Sequence, residues 1–97
     1  MKVMAIGSFA KPLTPEQRQQ VLPSEVPATL KLYLDGKIEQ FWFRHDEPGV
    51  VFLMNVESVD EARAAVHALP LAVAGFVKHE FMHLGPLMPL GRLIATK

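Results

Sequence analysis

The sequence predicts a single α+β domain whose strands and helices follow the order βαββαβ. Its 97 residues are enough for one domain with one core. Four short apolar segments contain many β-forming residues. Two capping-box patterns separate the first of these segments from the second and the third from the fourth. Because each capping box opens a helical segment, the four strands enclose two helices in this order.

The first half of the chain begins with a predicted strand and continues into a predicted helix. Lys2 to Phe9 is short and apolar, and Thr14-Pro15-Glu16-Gln17 is a capping box with proline at the first helical position. Pro23 lacks a backbone N–H, so we expect a kinked or two-piece helix in which Ser24 caps the restart, and Gly36 ends the helix. One helical face is expected to cover the sheet: Leu22, Val26, Thr29, Leu30 and Tyr33.

The second half of the chain supplies the other three strands and the second helix. Ile38 to His45 alternates in polarity, and Val50 to Val56 is apolar on both faces, as in a central strand. The capping box Ser58-Val59-Asp60-Glu61 opens a helix that Pro70 ends. Gly75 to Leu84 is the predicted fourth strand. No internal repeat or second domain is indicated.

Composition and charge limit the partners. Nearly half of the residues (49%) are apolar, which is high for so small a core, so we expect a homodimer or higher homo-oligomer. The apolar segment 85–97 contains prolines and glycines that prevent a regular helix, and we expect it to pack as an arm on a neighbouring subunit. The absence of cysteine fits the reducing cytoplasm.

Two classes of partner are not expected. Ten basic and ten acidic residues cancel, and Val50 to Val56 carries one aromatic and no basic residue, unlike the strands of RNA-binding modules with this order. We therefore expect no nucleic acid. No segment approaches the roughly 20 apolar residues of a membrane span, so we expect no membrane partner either.

His79-Glu80-Phe81-Met82-His83 matches the H-E-x-x-H zinc pattern letter for letter. That pattern holds a metal on a helix, where both imidazoles share a face. On a strand the two histidines stand roughly 13 Å apart, which is too far to chelate one ion. Since the βαββαβ order requires a strand here, we expect no metal site.

Several landmarks spread over most of the chain carry a resemblance: Glu25 in the first helix, Gly36, the aromatic second strand with Trp42, Gly49, and Leu69-Pro70-Leu71. With these landmarks the chain resembles the muconolactone isomerase-like family of the dimeric α+β barrel superfamily. The resemblance implies a ferredoxin-like fold, with two helices on one face of an antiparallel four-stranded sheet, and a homodimer whose sheets form a barrel. It also implies a small-molecule pocket and proton transfer on a small lactone or carbonyl compound without cofactors.

Four residues are candidates for this chemistry. Glu25 lies beside the apolar face of the first helix and is the candidate base, because an apolar setting raises a carboxyl pKa toward neutrality. His45 or His83 is a candidate proton carrier, and Arg44 a candidate clamp for a substrate carboxylate. The structural alternatives are a solvated Glu25 and ordinary ion pairs at the end of the second strand.

Three further residues are candidates for substrate binding: Trp42, Tyr33 and Glu39. Trp42 and Tyr33 are equally consistent with core or interface packing. Glu39 and His45 have one strand parity and Trp42 and Arg44 the other, so a pocket facing this strand would use one pair only. Two other functions remain open: a non-catalytic ligand-binding or structural oligomer, and a cofactor-free monooxygenase on the same fold.

Overall fold

A computed structural model describes residues 1–85 and confirms the predicted βαββαβ order. The predicted arm at 85–97 lies, apart from Gly85, outside the described residues. One short additional helix precedes the last strand. The elements are β1 (Lys2–Phe9), α1 (Pro15–Leu34), β2 (Ile38–Phe43), β3 (Val50–Asn55), α2 (Val59–His67), α3 (Pro70–Val73) and β4 (Val77–Leu84).

The four strands form one sheet in the order β2-β3-β1-β4, and every neighbouring pair is antiparallel. The main core lies between one face of this sheet and the helices. Strand residues such as Val3, Ala5 and Met54 are fully buried there, and Ala62 and Val66 of α2 pack against them. A smaller cluster of Leu71, Phe76 and Val77 lies beside α3 and packs against Phe9, Leu13 and Val21.

Helix α1 is one continuous element, so the two-piece alternative with a restart at Ser24 was wrong. Pro23 and Pro27 both lie inside it and are exposed. An exposed helix side tolerates proline because water can bind the carbonyl group that the missing N–H leaves free. Both predicted ends are confirmed. Thr14 and Gln17 form the capping box, and Gly36 has a positive φ of 82° just after the last turn.

The predicted packing face of α1 was also displaced. Leu22, Val26, Leu30 and Tyr33 are exposed, whereas the half-buried positions are Gln17, Val21, Glu25, Ala28, Thr29 and Leu32. The stripe from Val21 through Glu25 and Ala28 to Leu32 has helical spacing. The carboxyl-bearing residue is therefore part of the side of the helix that packs on the protein.

Strand β2 contains a bulge near its start, which the parity argument did not anticipate. Ile38 pairs with Met54, but Gln40 pairs with the next residue, Leu53, so Glu39 is the extra residue. The extra residue shifts the alternation by one position. Ile38 and Phe41 consequently lie on the helix-covered face, although simple alternation had assigned them to opposite faces.

The other face of the sheet carries no helix within residues 1–85. Met4, Ile6, Val51 and Leu53 alternate with the core residues of β1 and β3 and are half-buried there. Met82 of β4 lies opposite Met4 and is 50% exposed. This apolar surface is called the open sheet face below. Among the helices at 1–85, none is long and apolar enough to cross a membrane.

Candidate functional site: an apolar cleft beside Glu25

A cleft of about 340 Å³ lies between α1 and the β2–β3 hairpin. Its helical wall consists of Leu22, Glu25, Val26, Thr29 and Leu30. Its sheet wall consists of Phe41, Trp42, Phe43, Val50 and Phe52. Pockets of this size and apolar character are typical of small-molecule sites in proteins. Large apolar side chains at its mouth reach water, and Phe43 is 81% exposed.

Glu25 is the one titratable residue in the described lining of this cleft. On either side of it, Val21 packs against the cluster around Leu71, and Ala28 packs against the main core. Its Oε2 atom is buried and has no hydrogen-bond partner among the described residues. Burial removes water from the carboxylate and raises the pKa of Glu25, while the backbone N–H of Leu71 acts in the opposite direction.

Thr29, one turn after Glu25, is the other side chain in the described lining that carries a hydroxyl or a charge. Its Oγ1 donates a hydrogen bond of 2.9 Å to the backbone carbonyl of Glu25. The hydroxyl therefore satisfies the helix backbone, a common arrangement for threonine inside helices. Glu25 is left as the one side chain of the described lining that can exchange a proton.

The three predicted substrate-binding residues fall in different places. Trp42 contributes to the cleft lining. Tyr33 lies outside the lining but packs edge-on against Phe41, with ring centroids 5.4 Å apart, and so supports one wall. Glu39 is in the bulge and forms an ion pair with Lys2 of β1, away from the cleft.

Arg44 does not line the cleft, and its guanidinium is already bound within the protein. Nε and Nη2 donate to the two carboxylate oxygens of Asp46 at 3.0 and 2.6 Å, and Nη1 lies 2.9 Å from Glu47. Nη1 also donates to the carbonyl oxygen of Gly7 at 3.4 Å, which ties the β2–β3 turn to β1. The hydrogen bonds from Arg44 lower the pKa of Asp46 to about 2. His45 is exposed in this turn.

The residues of the H-E-x-x-H pattern lie on strand β4, as predicted. His79 and His83 share a face of the strand about 13 Å apart. Within residues 1–85 no group of three or more metal-ligating side chains occurs. His83 is exposed opposite Val3, outside the cleft lining. The proton-carrier roles of His45 and His83 stay predictions, since neither lies beside Glu25 in the lining.

His79 is half-buried, which no sequence pattern indicated. Its ring crosses Gly7 of β1, where an added Cβ would lie 2.9 Å from the imidazole, and it stacks on Phe52 at 6.3 Å. Burial lowers the pKa of His79 to about 4, and His67 of α2 adds to this effect. Nδ1 has no hydrogen-bond partner among the described residues. The neutral ring supports Phe52, which forms part of the cleft wall.

Comparison with known proteins addresses the fold. No protein-family profile matches the chain, and no curated protein matches it in sequence. The crystal structure of muconolactone isomerase matches with a TM-score of 0.74 at 18% identity, covering 89% of this chain and 90% of that one.

A second match is 5-chloro-2-hydroxyhydroquinone dehydrochlorinase from Burkholderia phenoliruptrix AC1100, in complex with 2,5-dihydroxybenzoquinone. Its TM-score is 0.69 at 18% identity, covering 88% of this chain and 94% of that one. Both matches extend over almost the whole of each chain. The predicted resemblance is thus confirmed at the level of the fold: this chain has the ferredoxin-like α+β fold of muconolactone isomerase.

Proposed function

We propose that the chain is a cytoplasmic enzyme that moves a proton within a small lactone or related carbonyl compound, with Glu25 as the base. The observation that carries this proposal is the position of the Glu25 carboxylate. Glu25 forms part of the wall of an otherwise apolar cleft, and one of its carboxylate oxygens is buried without a partner among the described residues. A partly buried carboxylate of this kind lacks much of the water that would weaken it as a base.

The proposed reaction needs one residue that accepts and returns a proton. A hydrogen on the carbon beside a carbonyl group is acidic, and Glu25 takes it as a proton while the C–H electron pair forms the enolate. The protonated Glu25 then returns the proton to a carbon further along the conjugated system, and the double bond shifts. The raised pKa supports both steps, because it brings base and conjugate acid closer in energy at neutral pH. The substrate loses one proton and regains one without a change in oxidation state, so the proposed reaction requires no cofactor.

The open sheet face supports the proposal of a homodimer. Met4, Ile6, Val51 and Leu53 form an apolar surface that no element of residues 1–85 covers. A second copy of this face would complete a two-layer packing of sheet on sheet. This packing leaves the cleft accessible, because α1 lies on the opposite side of the sheet from the open face.

A second candidate function is ligand binding without catalysis. The observation that favours it is the sparse chemistry of the described lining, in which Thr29 is engaged with the helix backbone and Glu25 is the single titratable group. An enolate formed in the cleft would gain no second charged partner from these residues. A binding protein would keep the cleft and its affinity after loss of the carboxylate.

The test compares the isomerisation of small unsaturated lactones, both with a carboxylate substituent, as in muconolactone, and with that group esterified, by the natural protein, Glu25→Gln and Glu16→Gln. Glu16 is in the exposed first turn of the same helix and serves as the matched control. We expect turnover that falls at least 100-fold in Glu25→Gln, the lower end of what general base catalysis contributes, and is unchanged in Glu16→Gln. Equal turnover by both variants would exclude Glu25 as the base. Lactone binding without turnover by any of the three proteins would favour ligand binding without catalysis.

A further inference from the structure

We propose that the cleft selects an uncharged cyclic carbonyl compound over one that carries a carboxylate, an inference about substrate class that rests on the proposed function of the same site. Three observations lead to it. The one charged residue of the described lining is acidic, Arg44 is already paired within the protein, and the walls of the cleft are apolar.

The described lining contains one acidic side chain and no basic side chain. Nine of its ten residues are uncharged, and the tenth is Glu25. A substrate carboxylate in this cleft would lose water and face a second carboxylate, with no countercharge from the described lining. Burying an unpaired charge is unfavourable, and a like charge nearby makes it more so. An uncharged carbonyl compound avoids both effects.

Arg44, which was expected to bind a substrate carboxylate, already binds acidic residues of its own turn. All three guanidinium nitrogens of Arg44 contact Asp46 or Glu47, and one of them also binds the Gly7 carbonyl. Releasing Arg44 would leave two carboxylates unpaired and free the β2–β3 turn from β1. Lys2 of β1 is likewise paired with Glu39. Neither cation is free to enter the cleft.

The walls fit a compact ring. Phe41, Phe43 and Phe52 provide aromatic surface opposite the aliphatic side chains of α1. A cleft of about 340 Å³ lies at the small end of the range for ligand sites, which suits one or two rings. Aromatic and aliphatic walls contribute affinity through the apolar area that they bury, and a charged substituent would reduce that gain.

The experiment measures binding alone, so that it does not depend on turnover. The probes are a saturated five-membered lactone that carries a carboxymethyl group and the methyl ester of the same compound. Neither has a double bond to shift. Isothermal titration calorimetry measures the dissociation constant of each probe directly. At pH 7.5 we expect the ester to bind at least tenfold more tightly than the acid.

Two variants test the cause of this preference. Glu25→Gln removes the like charge, and we expect the affinity of the acid relative to the ester to rise at least threefold. Leu30→Arg adds a cation at a half-exposed position of the lining and should bring the affinity of the acid up to that of the ester. Leu34→Arg is the control, since Leu34 is 80% exposed on the same helix and outside the lining.

The outcomes separate this inference from the proposed function. Equal or tighter binding of the acid by the natural protein would overturn the inference, as would failure of both probes to bind. Preference for the ester, lost in Leu30→Arg and retained in Leu34→Arg, would support it. That support would stand even if no lactone were turned over, in which case only the proposed reaction would fail.

Discussion

At the scale of single residues, Glu25 was predictable as a candidate but its setting was not. The sequence showed that Glu25 lies beside an apolar face of the helix. That predicted face proved to be the one that lines the cleft, not the one that packs on the core. The stripe Val21, Glu25, Ala28 and Leu32 was the available signal. Its polar member weakens the apolar periodicity, and this is why the stripe was missed. A carboxylate in a packing stripe is costly to the fold and therefore points to function.

Glu25→Gln should stabilise the protein at neutral pH. The folded-state pKa of Glu25 lies above the usual 4.5, so the folded protein holds this proton more firmly than the unfolded chain. Stability therefore falls as the pH rises from 4.5 through the folded-state pKa. After allowance for solvent screening of this half-buried group, removing the charge should add at most about 1 kcal/mol at pH 7 and nothing at pH 4.

Urea denaturation of the natural protein, Glu25→Gln and Glu16→Gln at both pH values measures this effect. The exposed control Glu16→Gln should lack the gain at pH 7. An unchanged or lower stability of Glu25→Gln at pH 7 would show that the carboxylate is well solvated in the folded state.

His79 should make the fold sensitive to mild acid. Its pKa is about 4 in the folded protein against 6.5 in the unfolded chain, so the unfolded state binds more protons between these values. Stability should be complete above pH 6.5 and decrease as the pH falls toward 4, by about 1–2 kcal/mol after allowance for partial solvent screening.

Chemical denaturation across this pH range tests the assignment with two variants. His79→Gln should flatten the pH dependence, whereas His83→Gln, an exposed residue on the same face of β4, should retain it. An identical pH dependence in the natural protein and His79→Gln would mean that the imidazole is not the source.

At the scale of the elements, short sequence patterns correctly predicted where helices begin and end, because neighbouring residues determine these positions. The capping box at Thr14, the N-cap hydrogen bond at Ser58 and the stop at Gly36 are present, although Glu61 accepts from the N–H of Glu57 and so does not complete the box at Ser58. Short-range signals failed where the outcome depends on surroundings. Pro23 is tolerated because its side of α1 faces water, and the bulge at Glu39 depends on pairing with β3. Helix α3 has only four residues, too few for a periodic pattern.

Pro23→Ala should stabilise α1. Alanine restores the N–H that can bond to the carbonyl group one turn earlier, and it removes the clash of the ring, although the unfolded chain becomes more flexible. We expect a net gain of about 1–2 kcal/mol. Pro15→Ala is the matched control, because proline at the first helical position lacks only an N–H that would have no partner in the helix.

Thermal unfolding followed by circular dichroism at 222 nm measures both proline variants. A gain in Pro23→Ala with little change in Pro15→Ala is the expected result. A loss of stability in Pro23→Ala would mean that the proline contributes to the fold by restricting the unfolded chain rather than weakening the helix.

At the scale of the whole molecule, strand order and sheet topology were predictable, because four strands and two helices in this sequence allow few arrangements. The cleft was not predictable. It forms where α1 approaches β2 and β3, so its shape depends on how these elements pack, and its walls include Phe43 and Val50, which no sequence motif singles out. The open sheet face was anticipated only as an excess of apolar residues.

The open sheet face should join two copies of the chain. Leu53→Lys places a charge in the middle of this apolar surface and should shift a dimer toward monomer, because a buried unpaired ammonium is costly. Sedimentation equilibrium at micromolar concentration measures the change. Leu34→Lys, on the exposed side of α1, should remain dimeric. A natural protein that is monomeric under these conditions would contradict the proposed dimer.

The ionisation of Glu25 in the free protein tests the central claim most directly. The carboxyl carbon signal of Glu25, assigned by its loss in Glu25→Gln, can be followed by carbon-13 NMR from pH 3 to pH 8. The account predicts a midpoint above 4.5, because the cleft and the packed side of α1 remove water from the carboxylate. A midpoint at or below 4.5 would show a solvated or well-paired carboxylate and would contradict its assignment as the base.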